Sequence, residues 1–192
     1  MKNPFLIGNK IYLSELTLED ITDQMMFWYN NPEVCKGTGQ HTFPKPRQDP
    51  DVKKISVADY TNFALINSLT KSRTDYTFAI KDRLNDKHIG NITLQSIDWV
   101  ARNAEITIMI GKKDYWGKGV GEEAWRLIMD WGFYTLNLNR LQCGTFSNNI
   151  GMQKLATKVG MKEEGRRPKA VYKNGEYLDV LLYGILKEDY KK

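Results

Sequence analysis

The chain is poor in the residues that build disulfide frameworks and metal centres, holding two cysteines and two histidines in 192 residues. Cys35 and Cys143 fall in different expected elements and form no CxxC pair, which points away from a disulfide scaffold or a structural zinc site. His41 and His88 alone do not make an imidazole-built metal site, so no metal is expected. Long apolar runs are missing too. Nothing approaches the ~20 residues that span a bilayer, and Met1–Lys10 holds too short an apolar run for a secretory signal. These absences lead us to expect a cytoplasmic protein with no membrane partner. Nor does one sign of charge dominate: 28 Lys and Arg against 23 Asp and Glu leave a net +5. The basic residues are interleaved with acidic ones, so no nucleic-acid partner is expected. The mild positive bias suits an anionic small molecule.

What is present is enough apolar surface for one core, with 41% hydrophobic and 11% aromatic residues. The length fits a single domain over 1–192, as a monomer or homodimer. Ile11–Leu13 reads as a first strand. Thr17, with Asp20 three residues on, has the pattern of a capping box that starts a helix. Leu18, Ile21, Met25, Trp28 and Tyr29 continue it at helical spacing until Asn30-Asn31-Pro32 interrupts. Lys36–Asp51 is rich in Gly and Pro, and we expect 36–55 to be a flexible loop, of a length that in compact domains often serves as a functional lid. A second helix is expected over Val57–Leu69.

Tyr76, Phe78 and Ile80 alternate, and Ile89–Ile97 reads as the hairpin partner. Ala104, Ile106, Ile108 and Ile110 alternate in a third strand, which puts Glu105, Thr107 and Met109 on its opposite face. After a glycine-rich turn, Val120, Ala124, Leu127, Ile128 and Trp131 mark one face of a long helix. Leu141–Thr145 is a strand, Asn149 caps a further helix, and Gly160 ends it. Tyr172-Lys173-Asn174-Gly175 reads as the turn of a closing hairpin. The order is β-α-α-β-β-β-α-β-α-β-β.

The central signal is Trp116-Gly117-Lys118-Gly119-Val120-Gly121, between a strand and a helix. Glycines let the backbone turn sharply and bring its N–H groups close to a ligand. The first turn of the helix adds unpaired N–H groups and a positive dipole end. Together with Lys118 these make an anion site for a phosphate or pyrophosphate. Neither familiar nucleotide loop fits. Gly117-Lys118 is followed by Gly119, so the magnesium-binding hydroxyl of the Walker pattern is missing. The glycine spacing and element order also fail the dinucleotide fingerprint.

These residues resemble the GCN5-related N-acetyltransferase (GNAT) superfamily, whose pyrophosphate motif opens a helix after a strand. Trp116 departs from the usual Gln or Arg in the first place, but Tyr115 through Ala124 resembles the RimJ/RimL-like, ribosomal-protein acetyltransferase branch. So do Ile7–Leu13, Asn148-Asn149 with Lys158-Val159-Gly160-Met161, and the stretches Lys162–Arg166 and Tyr172–Asp179. The resemblance implies an α/β (α+β) fold: a single mixed, mostly antiparallel sheet of about seven strands splayed into a V, flanked by about four helices. It implies acetyl-CoA as co-substrate in the opening, with its pantetheine arm along Ile108, Met109 and Ile110 and Asn149 close to it.

An amine must be neutral to attack a thioester, and free primary amines have pKa values of about 10. A general base therefore helps. Glu105, on the strand that lines the implied cleft, is the candidate. The competing reading is an ordinary strand carboxylate. Many relatives carry a tyrosine that protonates the leaving thiolate, and Ala156 stands at that position here. Ser147, Asn149 and Tyr183 are the substitutes to consider, with Ser147 taken as the candidate. A backbone N–H near Met109–Ile110 would meet the developing oxyanion, as the resemblance implies. Cys143 reads as a buried strand cysteine rather than an acyl carrier.

The resemblance implies a primary amine as acceptor, with Trp28, Asn31, Glu33 and His41 as candidate contacts. Branch resemblance puts a protein N-terminus first. A polyamine, an aminoglycoside or an amino-sugar nucleotide is the alternative. A non-catalytic acyl-CoA sensor is the rival class, supported only by Ala156.

Overall fold

Apolar residues alternate within three consecutive strands, at Tyr76, Phe78 and Ile80, at Ile92 and Leu94, and at Ala104, Ile106, Ile108 and Ile110, and build the centre of the sheet. The computed structural model describes residues 1–37, 56–58, 61, 74–173 and 175–191. The strands are β1 (Leu6–Ile7), β2 (Ile11–Glu15), β3 (Tyr76–Asp82), β4 (His88–Asp98), β5 (Asn103–Ile110), β6 (Arg140–Phe146), β7 (Lys162–Lys173) and β8 (Glu176–Leu186). They form one sheet in the order β1-β2-β3-β4-β5-β6-β8-β7. Every neighbouring pair is antiparallel except β5 and β6, which run parallel. The mixed, mostly antiparallel sheet agrees with the sequence expectation. The two-residue β1 is an eighth strand, added at the edge of β2.

Three α-helices are described: α1 (Asp23–Asn30), α2 (Val120–Asp130) and α3 (Ile150–Lys158). The expected helix over Val57–Leu69 falls mostly outside the described residues. The capping box at Thr17 forms, with the Asp20 carboxylate accepting from the Thr17 N–H, but it closes only a 3-10 turn, Leu18–Asp20. Ile21 leaves helical geometry there, and α1 starts anew at Asp23 with Thr22 Oγ1 accepting from the Met25 N–H. Helix α1 therefore begins later than the spacing predicts.

The two faces of the sheet differ. Ile80, Ile92, Leu94, Ala104, Ile106 and Leu141 point to one side and pack against α2 and α3 through Trp125, Ile128, Ala156 and Val159. Each large side chain fully buried there stabilises the fold by roughly 1.5–3 kcal/mol. Trp125 and Met129 are completely buried, while Leu127 is only half-buried. The inward stripe of α2 is thus rotated from the expected one. On the other face Met109 joins Met25, Met26 and Trp28 of α1 in a smaller cluster. Gly160, at φ 95°, ends the turn after α3, as its position in the sequence predicts.

Candidate functional site

Strand β5 is paired to β6 only at Asn103–Arg140, Ala104–Leu141 and Glu105–Gln142. Past Glu105, β5 stays on β4 through Met109 and Ile110, while β6 follows β8 as far as Phe146 opposite Val180. The sheet opens there into a V whose walls are Ile106–Ile110 and Cys143–Phe146, and Glu105 marks its apex. Glu105 and Thr107 are half-buried and lie on the same face as Met109, the face that carries α1.

Downstream, a 3-10 turn over Lys113–Tyr115 leads into the glycine turn. Gly117 and Gly119 have φ of 71° and 81°, a region that L side chains adopt only at a cost. Gly119 is the N-cap of α2, so the first amides of the helix open toward the turn. Gly121 differs: it lies inside α2, and a Cβ on it would make ordinary contact with Leu155 at 3.7 Å.

Distant residues hold the turn. The Trp116 indole N–H donates to the Ile110 carbonyl at 2.8 Å, and the Tyr115 hydroxyl donates to Asp82 Oδ2 at 2.6 Å. The Lys10 ammonium donates to the Lys118 carbonyl at 2.8 Å, while Lys118 Nζ lies 5.9 Å from the Tyr115 ring centroid. Glu123, in the first turn of α2, accepts from the Asn9 and Lys10 amides. Lys10 and Asp82 carry no local sequence signal for this role, because each lies far along the chain from the turn it supports.

The other wall ends at Ser147, which extends the β6–β8 ladder. Its N–H donates to the Asp179 carbonyl at 2.9 Å and its Oγ accepts from the Asp179 N–H at 3.3 Å. Asn149 caps α3, its Oδ1 accepting from the Met152 N–H at 3.2 Å. Ala156 is fully buried. The Tyr183 hydroxyl donates to Glu163 Oε2 at 3.4 Å. Burial, reinforced by the Glu105 charge, pushes the Cys143 thiol up to about 12. Its thiolate is thus scarce at neutral pH.

On the acceptor side, Trp28 is 2% exposed and its ring fills the space a side chain on Gly111 would need. It meets His88 edge to face at 5.0 Å. Asn31 Oδ1 accepts from the Glu33 N–H at 3.0 Å, which shapes the end of α1. Glu33 is ion-paired with Lys113, joining the end of α1 to the segment that leads into the glycine turn. His41 lies outside the described residues. Lys173, which the sequence did not single out, donates to the Cys35 carbonyl at 2.7 Å and lies 5.2 Å from the Phe146 ring centroid. The structure thus places the glycine turn beside one wall of the V, with Ser147 and Asn149 at the end of the other. Trp28 is packed away from solvent.

Two part-buried polar groupings lie near α1. Lys81 and Asp20 pair at 2.7 Å with both side chains largely buried. His88 Nε2 is 3.0 Å from the Gly90 carbonyl and 2.8 Å from Asn91 Oδ1, both acceptors, so this nitrogen carries the proton. Asn91 Nδ2 donates to the Tyr29 hydroxyl at 3.3 Å.

Among the described residues no group of three or more His, Cys, Asp or Glu is placed to hold a metal. No helix among them is long and apolar enough to cross a membrane.

Residues 10–162 match the acetyltransferase (GNAT) domain family. The chain is 28% identical over 185 residues to an uncharacterized N-acetyltransferase, p20, of Bacillus licheniformis, covering 96% of this chain and 97% of that one. It is 33% identical over 101 residues to the spermidine N(1)-acetyltransferase of Escherichia coli strain K12, covering 53% and 54%. The fold is similar to that of the Vibrio cholerae spermidine N-acetyltransferase solved in complex with CoA and spermine. The TM-score is 0.79 at 23% identity, over 95% of this chain and 99% of that one. The family match spans the β5–β6 opening and the glycine turn together, and the chain belongs to the GNAT acetyltransferase family as an N-acetyltransferase.

Proposed function

We propose that the chain transfers the acetyl group of acetyl-CoA directly to the primary amine of a small molecule. The observation that carries this reading is the parting of β5 and β6 immediately after Glu105, with an anion-binding turn beside it. Acetyl-CoA is the co-substrate. Trp116, Gly117, Lys118, Gly119, Val120 and Gly121 hold its pyrophosphate, and Ile108, Met109 and Ile110 pair with its amide-bearing arm.

Each step of the transfer is assigned to a named group. Glu105 takes a proton from the incoming ammonium, directly or through a water, so that the nitrogen lone pair is free to attack. A backbone N–H at Met109–Ile110 meets the charge that develops on the carbonyl oxygen. As the new C–N bond forms and the C–S bond breaks, the leaving sulfur takes up a proton. Ala156 has none to give. Ser147 is the candidate donor, since its Oγ accepts from the Asp179 N–H and its own hydrogen is not used in that bond.

Similarity to a spermidine acetyltransferase over about half of each chain supports a small amine. The RimJ/RimL-like resemblance instead supports a protein N-terminus. Thiol release from acetyl-CoA, followed over N-terminal peptides, polyamines, aminoglycosides and amino-sugar nucleotides, tests the reading. Turnover of a small amine is expected. Preference for peptides would move the acceptor to a protein N-terminus, and CoA binding without turnover of any amine would leave a sensor.

A further inference from the structure

The sheet face that carries α1 is polar where α1's apolar cluster does not reach. Thr77, Thr93 and Thr107 lie side by side on β3, β4 and β5, each the Cα partner of the next. Two residues along, Gln95, Glu105 and Gln142 form a second row across β4, β5 and β6. All six are half-buried. The opposite face of the same strands, at Leu94, Ala104, Ile106 and Leu141, is completely buried and apolar. Neighbours within a row are about 4.8 Å apart, and the rows are roughly 7 Å apart. The rows therefore make a patch the size of a small polar molecule.

Half of these side chains are hydrogen-bonded to another described residue. Thr77 and Thr93 share one hydrogen bond at 3.1 Å, and Gln142 Oε1 accepts from Arg140 at 3.3 Å. The Gln142 amide nitrogen is not used in that bond. Glu105, Gln95 and Thr107 make no hydrogen bond or ion pair with another described residue. Half-buried polar groups without a protein partner keep their hydrogen-bonding capacity for a ligand, and an acceptor that covers them without pairing would leave them unsatisfied.

The patch holds one carboxylate among five neutral hydrogen-bonding side chains. A linear polyamine carries several ammonium groups and calls for several carboxylates. A hydroxylated amine needs one anion for its nitrogen and neutral donors and acceptors for its hydroxyls. We infer that the Thr77–Thr93–Thr107 and Gln95–Glu105–Gln142 rows select an acceptor with a single amine on a hydroxyl-bearing skeleton. The inference rests on the transfer reading above and deepens it by assigning the substrate class. Thr107 is the specificity residue closest to the opening, one alternation beyond Glu105 and on the wall formed by β5.

The threonines also suit a strand on propensity alone, so the test replaces a hydroxyl and keeps the β-branched shape. Steady-state kinetics of the full chain with acetyl-CoA would compare glucosamine, cyclohexylamine and spermidine, in wild type and in Thr107→Val. Wild type should favour glucosamine over both others by about tenfold or more in kcat/KM, for want of paired hydroxyls in the rivals. Thr107→Val should erase that advantage through KM. It should cost cyclohexylamine less than glucosamine, and leave CoA affinity and the thermal midpoint unchanged. A wild-type preference for spermidine overturns the inference while leaving amine acetylation intact. So does an equal loss on all three amines in Thr107→Val. Turnover of no amine on the wider panel removes the transfer reading itself and this inference with it.

Discussion

Glu105 and Gln142 form the last pair before β5 and β6 part, so the half-buried carboxylate of Glu105 stands at the apex of the cleft. Glu105→Gln preserves shape and hydrogen-bonding capacity and removes the basic oxygen. If Glu105 accepts the amine proton, kcat falls by about 10²–10⁴ while calorimetric CoA affinity stays the same. An unchanged kcat would return Glu105 to an ordinary strand position.

Gly119 joins the glycine turn to α2 at φ 81°. Gly119→Glu adds a strained side chain and a negative charge where a pyrophosphate is expected to bind. Calorimetry should detect no CoA binding at concentrations that saturate wild type, with secondary structure by circular dichroism retained. Undiminished affinity would show that the pyrophosphate binds elsewhere.

The Lys81–Asp20 pair is largely buried, and removing one partner of such a pair strands the other charge. Lys81→Met should lower stability by about 3–5 kcal/mol in urea unfolding. Burial pushes the Asp20 carboxyl up, but the Lys81 ammonium and the Thr17 amide more than offset this and hold it below its ordinary value. A lowered folded pKa gives stability that is complete above the ordinary carboxylate range and lost as pH falls through the folded value. Wild type should therefore lose stability more steeply than Lys81→Met below about pH 4. Parallel acid curves for the two proteins would contradict this.

Cys143 is buried and its thiol is pushed up to about 12, first by desolvation and then by Glu105. It should stay unlabelled by a thiol reagent at pH 8 in the native state and react on unfolding. Cys143→Ala should keep kcat. Loss of turnover in a folded Cys143→Ala would revive an acyl-carrier role.

Local pattern made much of this architecture legible. Alternation revealed β3, β4 and β5 and assigned Glu105, Thr107 and Met109 to one face, because a strand's period of two acts within a few residues. The glycine turn was legible for the same reason, as Gly117 and Gly119 meet a local demand for positive φ. The bonds that hold the turn were not. Lys10 reaches the Lys118 carbonyl, Tyr115 reaches the Asp82 carboxylate, and Glu33 pairs with Lys113. Each joins residues far apart in the chain, and nothing in the flanking sequence records the partner. Helix α2 shows a subtler limit. Its period was clear, but the sheet and α3 together chose Trp125 and Met129 for the interior.

The parting of β5 from β6 leaves two strand edges facing each other across a gap, along Ile106–Ile110 and Cys143–Phe146. Exposed edges are where sheets recruit foreign strands. A molecule that fills the gap with its own amides acts as a temporary strand, so occupancy should guard the protein against aggregation as well as feed its chemistry. Solubility in storage would then follow co-substrate supply.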